Sequence, residues 1–331
     1  MSQTVRIIDV SPRDGLQNEA ARIGTADKAA LVAAVTATGV DEVEITSFVS
    51  PQWVPQLGDA RELCELVARA KPAGAVYSAL VPNERGLDSL LEANAAAVKG
   101  AGRPVINRAA VFLAASEGFS KKNTNASIAE VTARLTPVVE RVLATGSGLL
   151  LRVYISCVFA CPFDGPTDPQ RVALLIEDLV LRWSLAEPRH RDSTPGVPSI
   201  EISLGDTIGR GSASSTNALF DAIDASPSLG GAQALWLYST LNLHLHDTFG
   251  LASECVTAGL ARGVRSFDSS VAGIGGCPYA SLPGKTAPGN LDTERLVDAI
   301  HSAGYTTHIK PNTLPAAAAL ARRLIAAKPT A

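Results

Sequence analysis

Eight short apolar segments recur along the chain, and their regular spacing limits what it can fold into. They span residues 5–10, 42–48, 75–81, 109–114, 149–158, 200–204, 241–246 and 264–270. Each is β-branched or almost continuously apolar, the pattern of a strand buried on both faces. Their starts lie about 37 residues apart, room for one strand, one helix and two loops. The intervening stretches have helical character. Residues 27–38 carry apolar side chains at helical spacing and end at Gly39. Residues 125–143 open on Asn-Ala-Ser and continue through Ile128, Val131, Leu135, Val138, Val139 and Val142. Pro137 predicts a kink or break there. Residues 169–185 and 251–262 read as further helices.

Repeated strand–helix units predict the α/β class, with a parallel sheet and helices outside it. Eight units predict a closed (β/α)8 TIM barrel, typically about 250 residues. The chain has 331, so a surplus must sit in loops and a tail. Residues 187–199, polar and punctuated by Pro188, Pro195 and Pro198, read as an exposed insertion. Residues 311–331 read as an Ala-rich helical extension. The expected organisation is therefore one catalytic barrel over 1–310 and a C-terminal helical extension over 311–331.

Composition excludes several function classes. With 29 basic and 32 acidic side chains, a net charge of −3 and no Lys/Arg block, the footprint of a nucleic-acid binder is missing. The longest apolar stretch, residues 29–40, is too short for a bilayer span, and the N-terminus lacks the apolar segment of a secretion signal. Five irregularly spaced cysteines do not make a disulfide framework. The expectation is a soluble, cytoplasmic, reduced protein with no membrane or nucleic-acid partner.

In such a barrel, chemistry sits at the C-terminal ends of the strands. After the first strand, Arg13 and Asp14 place a cation and an anion on a Gly turn, as a functional pair or a surface salt bridge. On the second strand, Glu42, Glu44 and Thr46 share one face. A buried carboxylate there needs a partner, and Arg13 is the natural one, as part of a functional site or as a structural ion pair. On the seventh strand, His244 and His246 point to the same side. If that side is the interior, two imidazoles converge near the mouth as metal ligands, and Asp14 could add an oxygen. Mg²⁺, Mn²⁺, Zn²⁺ and Co²⁺ all suit such a set. Asp206 ends the sixth strand, as a catalytic carboxylate or a turn cap. After the eighth strand a Gly-rich loop leads to Cys277, whose thiol can transfer a proton or act as a nucleophile. Cys64, Cys157, Cys161 and Cys255 read as packing residues, with Cys157 inside the fifth strand. His190, His301 and His308 read as solvated.

Longer blocks narrow the field. The run Asp9-Val-Ser-Pro-Arg-Asp-Gly-Leu-Gln-Asn-Glu19 resembles the opening signature of the 3-hydroxy-3-methylglutaryl-CoA (HMG-CoA) lyases. So does Thr46-Ser-Phe-Val-Ser-Pro-Gln-Trp-Val-Pro-Gln56. The blocks Ser116 to Asn123, Gly205-Asp-Thr-Ile-Gly209, His244-Leu-His-Asp-Thr-Phe-Gly250 and Asp268 to Ala280 continue the match in family order. Related Claisen-condensing synthases share the Arg-Asp and His-x-His elements but are not expected to carry Gly-Gly-Cys-Pro-Tyr.

The resemblance implies a metal-dependent retro-Claisen cleavage of HMG-CoA to acetyl-CoA and acetoacetate, the chemistry of leucine degradation and ketone-body metabolism. It implies Asp14, His244, His246 and Asn290 as ligands of a divalent ion, Mg²⁺ or Mn²⁺. Arg13 would face the developing enolate or carbonyl oxygen, Glu44 would orient Arg13 or take part in the proton network, Asp206 would lie near the substrate, and Cys277 would be the thiol acid/base group. The proton acceptor stays open between Asp14 and Asp206. The family also implies a homodimer. This chain departs from the pattern in a longer stretch between Ala280 and Asn290, and in Ala20 where the family often has lysine. Those departures allow a longer or different 3-hydroxy-3-alkylglutaryl-CoA as an alternative substrate, and a Claisen-type synthase is the other alternative.

Overall fold

A computed structural model describes residues 3–20, 22–144, 146–186, 197–230, 232–276 and 289–326. Eight parallel strands close into a barrel: β1 (Arg6–Asp9), β2 (Glu42–Ser47), β3 (Tyr77–Leu80), β4 (Arg108–Ala114), β5 (Leu150–Ser156), β6 (Ile200–Asp206), β7 (Leu241–Leu245) and β8 (Ser266–Ser269). Each pairs with its neighbours in sequence, and β1 closes on β8. The expected TIM barrel is therefore the observed fold, with no strand end moved by more than two residues. Cys157 falls one residue beyond β5 rather than inside it, with φ at +61°.

Helices α1 (Thr25–Ala37), α2 (Ala60–Ala70), α3 (Glu84–Ala101), α4 (Glu117–Thr124), α5 (Ile128–Leu143), α6 (Pro169–Arg182), α7 (Ala213–Asp224), α8 (Ala232–Thr240) and α9 (Ala252–Arg262) connect the strands, and α10 (Thr293–Ser302) follows β8. The extension is α11 (Leu314–Ile325), which packs on α1. No helix among the described residues is long and apolar enough to cross a membrane. The 187–199 insertion lies outside the described residues from 187 to 196, as does His190. His301 and His308 are exposed as expected, and His308 pairs with Asp41 at 2.7 Å.

Two expectations about residues 125–143 are corrected. Asn125 does not open a helix; it ends α4 in the left-handed conformation, at φ +53°. The start of α5 is Ser127, through a reciprocal capping box with Glu130. Nor does Pro137 break α5, which runs from Ile128 to Leu143. The buried stripe Val131, Leu135, Val138, Val139 and Val142 locks the helix to the barrel, and that packing outweighs one missing backbone bond.

The apolar core lies between sheet and helices, where Ile45, Val111, Val153, Leu204, Leu243 and Phe267 are buried. The inside of the barrel is polar. Arg108 on β4 donates from Nε to both oxygens of Glu42 on β2 at 3.0 Å. Arg6 on β1 reaches Glu201 on β6 at 2.9 Å, and Arg152 on β5 reaches Asp268 on β8 at 3.2 Å. Pairs between strands that are not neighbours can form only across the lumen. Removing one partner of such a buried pair costs about 3–5 kcal/mol, because a charge is left uncompensated. This ionic floor supports the mouth above it.

Candidate active site

Arg13 and Asp14 sit on a single π-helical turn, Ser11–Gly15, directly after β1. The turn winds on the Val10 carbonyl, which accepts the N–H groups of Arg13, Asp14 and Gly15 at 3.2, 2.8 and 3.1 Å. Such turns often mark functional sites. Gly15 is needed because a Cβ would lie 2.8 Å from Ile274 Cγ1. Gly275 is needed twice over: its φ is +87°, and a Cβ would lie 2.6 Å from Gly15 Cα. The loop after β8 therefore presses on the turn that carries Arg13 and Asp14. Asp9 staples the two from below, accepting from Ser11 N at 2.8 Å and Val271 N at 3.0 Å. Burial pushes the Asp9 carboxyl up to about 6 despite its donors.

Arg13 faces two carboxylates. Its Nε donates to Glu44 Oε2 at 2.6 Å, and its Nη1 meets Asp14 Oδ1 at 2.5 Å. Burial opposes the guanidinium charge, but Glu44 and Asp14 outweigh it and drive its pKa further up. Burial raises the Glu44 carboxyl against the pull of Arg13 and Arg152. For Asp14 burial is overcome by Arg13 and the two histidines, so its carboxyl lies well below the usual range. Tyr154 on β5 donates to Glu44 Oε2 at 3.3 Å and sets its ring edge-on to His244, with centroids 5.9 Å apart.

The imidazoles of His244 and His246 both face the lumen, their Nε2 atoms 3.3 Å apart. His244 Nδ1 donates to Asp268 Oδ2 at 3.1 Å. Burial depresses His244, yet the Asp268 bond and the charges of Asp268 and Asp14 raise it overall. His246 is lowered to about 4 by burial and by His244, so it is neutral near pH 7. Asp14, His244 and His246 each offer a ligand atom, all within 4.8 Å of one another. Asn290 Nδ2 donates to Asp14 Oδ2 at 2.9 Å, and the backbone of Asn290 bridges that of His246.

These residues fit a divalent cation. Ring nitrogens of His244 and His246, their Nε2 atoms 3.3 Å apart, gather beside the Asp14 carboxylate, a donor set that suits such an ion. The buried Nδ1 of His246 has no hydrogen-bond partner among the described residues. With Nδ1–H given to Asp268, His244 keeps its Nε2 lone pair free, the usual support of a metal-binding imidazole.

Of the expected site residues, Arg13, Asp14, Glu44, His244, His246 and Asn290 come together. Asp206 does not bond to that cluster; it accepts the N–H groups of Arg210 and Gly211 at 3.0 and 2.7 Å, as a turn cap. Burial raises its carboxyl to about 6 against those bonds. Its neighbours Gly205 and Thr207 line the cleft. Cys277 lies outside the described residues, although Gly276 lines the cleft. Sequence reasoning missed Arg152, Tyr154 and the support role of Asp268. The signal was present, since Arg152 and Tyr154 are polar at period two in an otherwise apolar strand.

The cleft above these groups has a volume of about 1400 Å³. Arg13, Asp14, Tyr154, His244 and His246 line it, and Arg22, Lys121, Lys122 and Arg134 add cationic wall. It exceeds the range of about 300–1,000 Å³ usual for small-molecule pockets.

Comparison with known proteins agrees with this geometry. The HMGL-like family model matches residues 4–321. A 3-hydroxy-3-isohexenylglutaryl-CoA/hydroxy-methylglutaryl-CoA lyase of Pseudomonas aeruginosa is 38% identical over 314 residues, 95% of this chain and 90% of that protein. The crystal structure of the HMG-CoA lyase from Brucella melitensis is 40% identical with a TM-score of 0.79, covering 97% of this chain and 98% of that one. An HMG-CoA lyase of Acinetobacter baumannii, solved with coenzyme A and 3-methylmalate, is 27% identical with a TM-score of 0.79, covering 100% of this chain and 94% of that one. The family-model match spans nearly the whole chain, and these relatives share its barrel: the chain belongs to the HMGL-like family.

Proposed function

We infer that this chain is a carbon–carbon lyase that cleaves HMG-CoA to acetyl-CoA and acetoacetate with the help of a divalent cation. The observation that carries the reading is the convergence of Asp14, His244 and His246 beside the Arg13–Glu44 pair, at the floor of a cleft large enough for an acyl-CoA. The synthase alternative is not favoured, since every relative reported above is named a lyase, and HMG-CoA is the substrate their names share, with isohexenylglutaryl-CoA beside it in one of them.

Asp14, His244 and His246, with Asn290 as a fourth candidate, would hold the cation. When bound, it would lower the pKa of the substrate's tertiary hydroxyl and orient the substrate as a Lewis acid. Asp14, ion-paired and held well below the usual range, is a poor base. Asp206, raised to about 6, is the better acceptor for the hydroxyl proton. As that proton leaves, the bond between the carbinol carbon and the thioester α-carbon breaks, and its electron pair moves onto the thioester oxygen. Arg13, fixed by Glu44 and Asp14, supplies guanidinium charge where this enolate develops. Cys277 would then deliver a proton to the α-carbon and complete acetyl-CoA. Lys121, Lys122 and Arg134 would meet the phosphates of the CoA portion.

Cys64, Cys161 and Cys255 are buried and unbridged among the described residues, which suits a reducing, cytoplasmic compartment. A homodimer and a role in leucine or ketone-body metabolism complete the reading. Incubation with HMG-CoA and Mn²⁺ or Mg²⁺ is expected to yield acetoacetate and acetyl-CoA in equal amounts. CoA release from acetyl-CoA and a 2-oxo acid, without cleavage of HMG-CoA, would contradict it.

The base assignment predicts a pH profile. Asp206 holds its proton below about pH 6 and releases it above. As pH falls through that value the base form is lost, and kcat/KM should fall about tenfold per unit. In Asp206→Asn the limb should vanish while activity drops about 10²- to 10⁴-fold. A limb unmoved in Asp206→Asn would assign it to another group, such as Asp9.

A further inference from the structure

Beneath the candidate metal donors lies a fully buried arginine that no step above uses, Arg152 on β5. Its Nη1 donates to two groups at once: Asp268 Oδ1 at 3.2 Å and Tyr154 Oη at 2.9 Å. These lead to opposite sides of the site. Asp268 accepts from His244 Nδ1 through its other oxygen. Tyr154 donates to Glu44 Oε2, the same oxygen that receives Arg13 Nε. From below, Glu201 Oε2 accepts both Nε, at 2.9 Å, and Nη2 of Arg152. Glu201 is itself held by Arg6 at 2.9 Å and by Ser266 Oγ at 2.6 Å. The guanidinium is clamped along one edge, and the nitrogen left over fixes two arms.

We propose that Arg152 is a positioning residue that sets the His244 ring toward the cation through Asp268 and sets Arg13 toward the substrate through Tyr154 and Glu44. The proposal rests on the cation reading above. It follows from the shape of the group. A guanidinium is a rigid planar fork, so anchoring one edge determines where Nη1 points. A lysine ammonium at the same place would keep the charge beside Glu201 but not the fork. Arg108 provides a matched comparison. It too is fully buried and pairs with a carboxylate, Glu42, but its other donors go to the carbonyls of Leu151 and Pro198, away from the site.

The test is Mn²⁺ titration of the full chain after metal removal, with free Mn²⁺ read by electron paramagnetic resonance and folding checked by circular dichroism. Arg152→Lys is expected to bind Mn²⁺ about 10- to 100-fold more weakly than the wild type, the usual effect of losing a second layer of metal support. Asp268→Asn should do the same, and Arg108→Lys should bind as the wild type does. In ¹⁵N spectra, His244 should be the Nδ1–H tautomer in the wild type and a mixture in Arg152→Lys. If Arg152→Lys does not fold, Glu201→Gln, which frees the anchored edge, carries the same expectation. Unchanged Mn²⁺ affinity in a folded Arg152→Lys or Glu201→Gln would overturn the proposal and leave the cation reading intact. Equal weakening in Arg108→Lys would overturn it as well, as a general loss of stability. If the wild type takes up no Mn²⁺, the cation reading fails and the proposal with it.

Discussion

Arg13→Lys should lower kcat by about 10²- to 10³-fold while leaving KM within a few-fold, the effect of removing a donor that acts on transition-state charge. Lysine keeps a positive charge near Glu44 and Asp14, so the protein should still fold. What it loses is the planar pairing: Nε to Glu44 on one side and Nη1 to Asp14 on the other. An ammonium gathers its donors at one point and cannot hold both carboxylates while facing a third oxygen. The enolate would then develop opposite a charge that is free to move. Steady-state turnover of HMG-CoA, with thermal melting as a folding control, checks this. A loss below about tenfold would mean that Arg13 is a structural ion pair and no more.

His246→Ala should cost about 10³-fold or more in kcat, and chelation of the wild type should do the same reversibly. Lewis-acid assistance is worth several kcal/mol, and each 1.4 kcal/mol is about tenfold in rate. His246 is already neutral, lowered to about 4, so its lone pair is available without displacing a proton. Its removal leaves Asp14 and His244 as the two remaining donors of the three-group cluster. The measurement is acetoacetate production after chelator treatment and after re-addition of Mg²⁺ or Mn²⁺. Wild-type turnover that survives chelation, or full turnover in His246→Ala, would contradict the account.

The barrel was legible because strands covered on both sides carry little but apolar and β-branched residues, and because the spacing leaves room for one helix per strand. Arg13, Asp14, Glu44, His244 and His246 were legible by a second rule: polar residues at the C-terminal ends of barrel strands converge on the axis. The same rule was not carried down the lumen. Arg152 and Tyr154 alternate with Leu151, Val153 and Ile155, and that alternation already separated a polar lumen from an apolar outer face. What no local pattern could supply was the pairing across the lumen, because Arg152 meets Asp268 across 116 positions of chain. Local rules also misjudged Asn125, and the break they allowed at Pro137 does not occur. Asn serves as a helix stop in the left-handed conformation as readily as it starts one. A proline's missing bond is minor beside a buried helix face.

Asp14, His244 and His246 acting on one ion is the claim everything else leans on, and pulsed electron paramagnetic resonance of the Mn²⁺-loaded, histidine-¹⁵N-labelled chain tests it most directly. The account predicts one Mn²⁺ per chain with hyperfine coupling to two imidazole nitrogens, reduced to one in His246→Ala. Mn²⁺ bound without histidine nitrogen coupling, or with coupling unchanged in that variant, would contradict it.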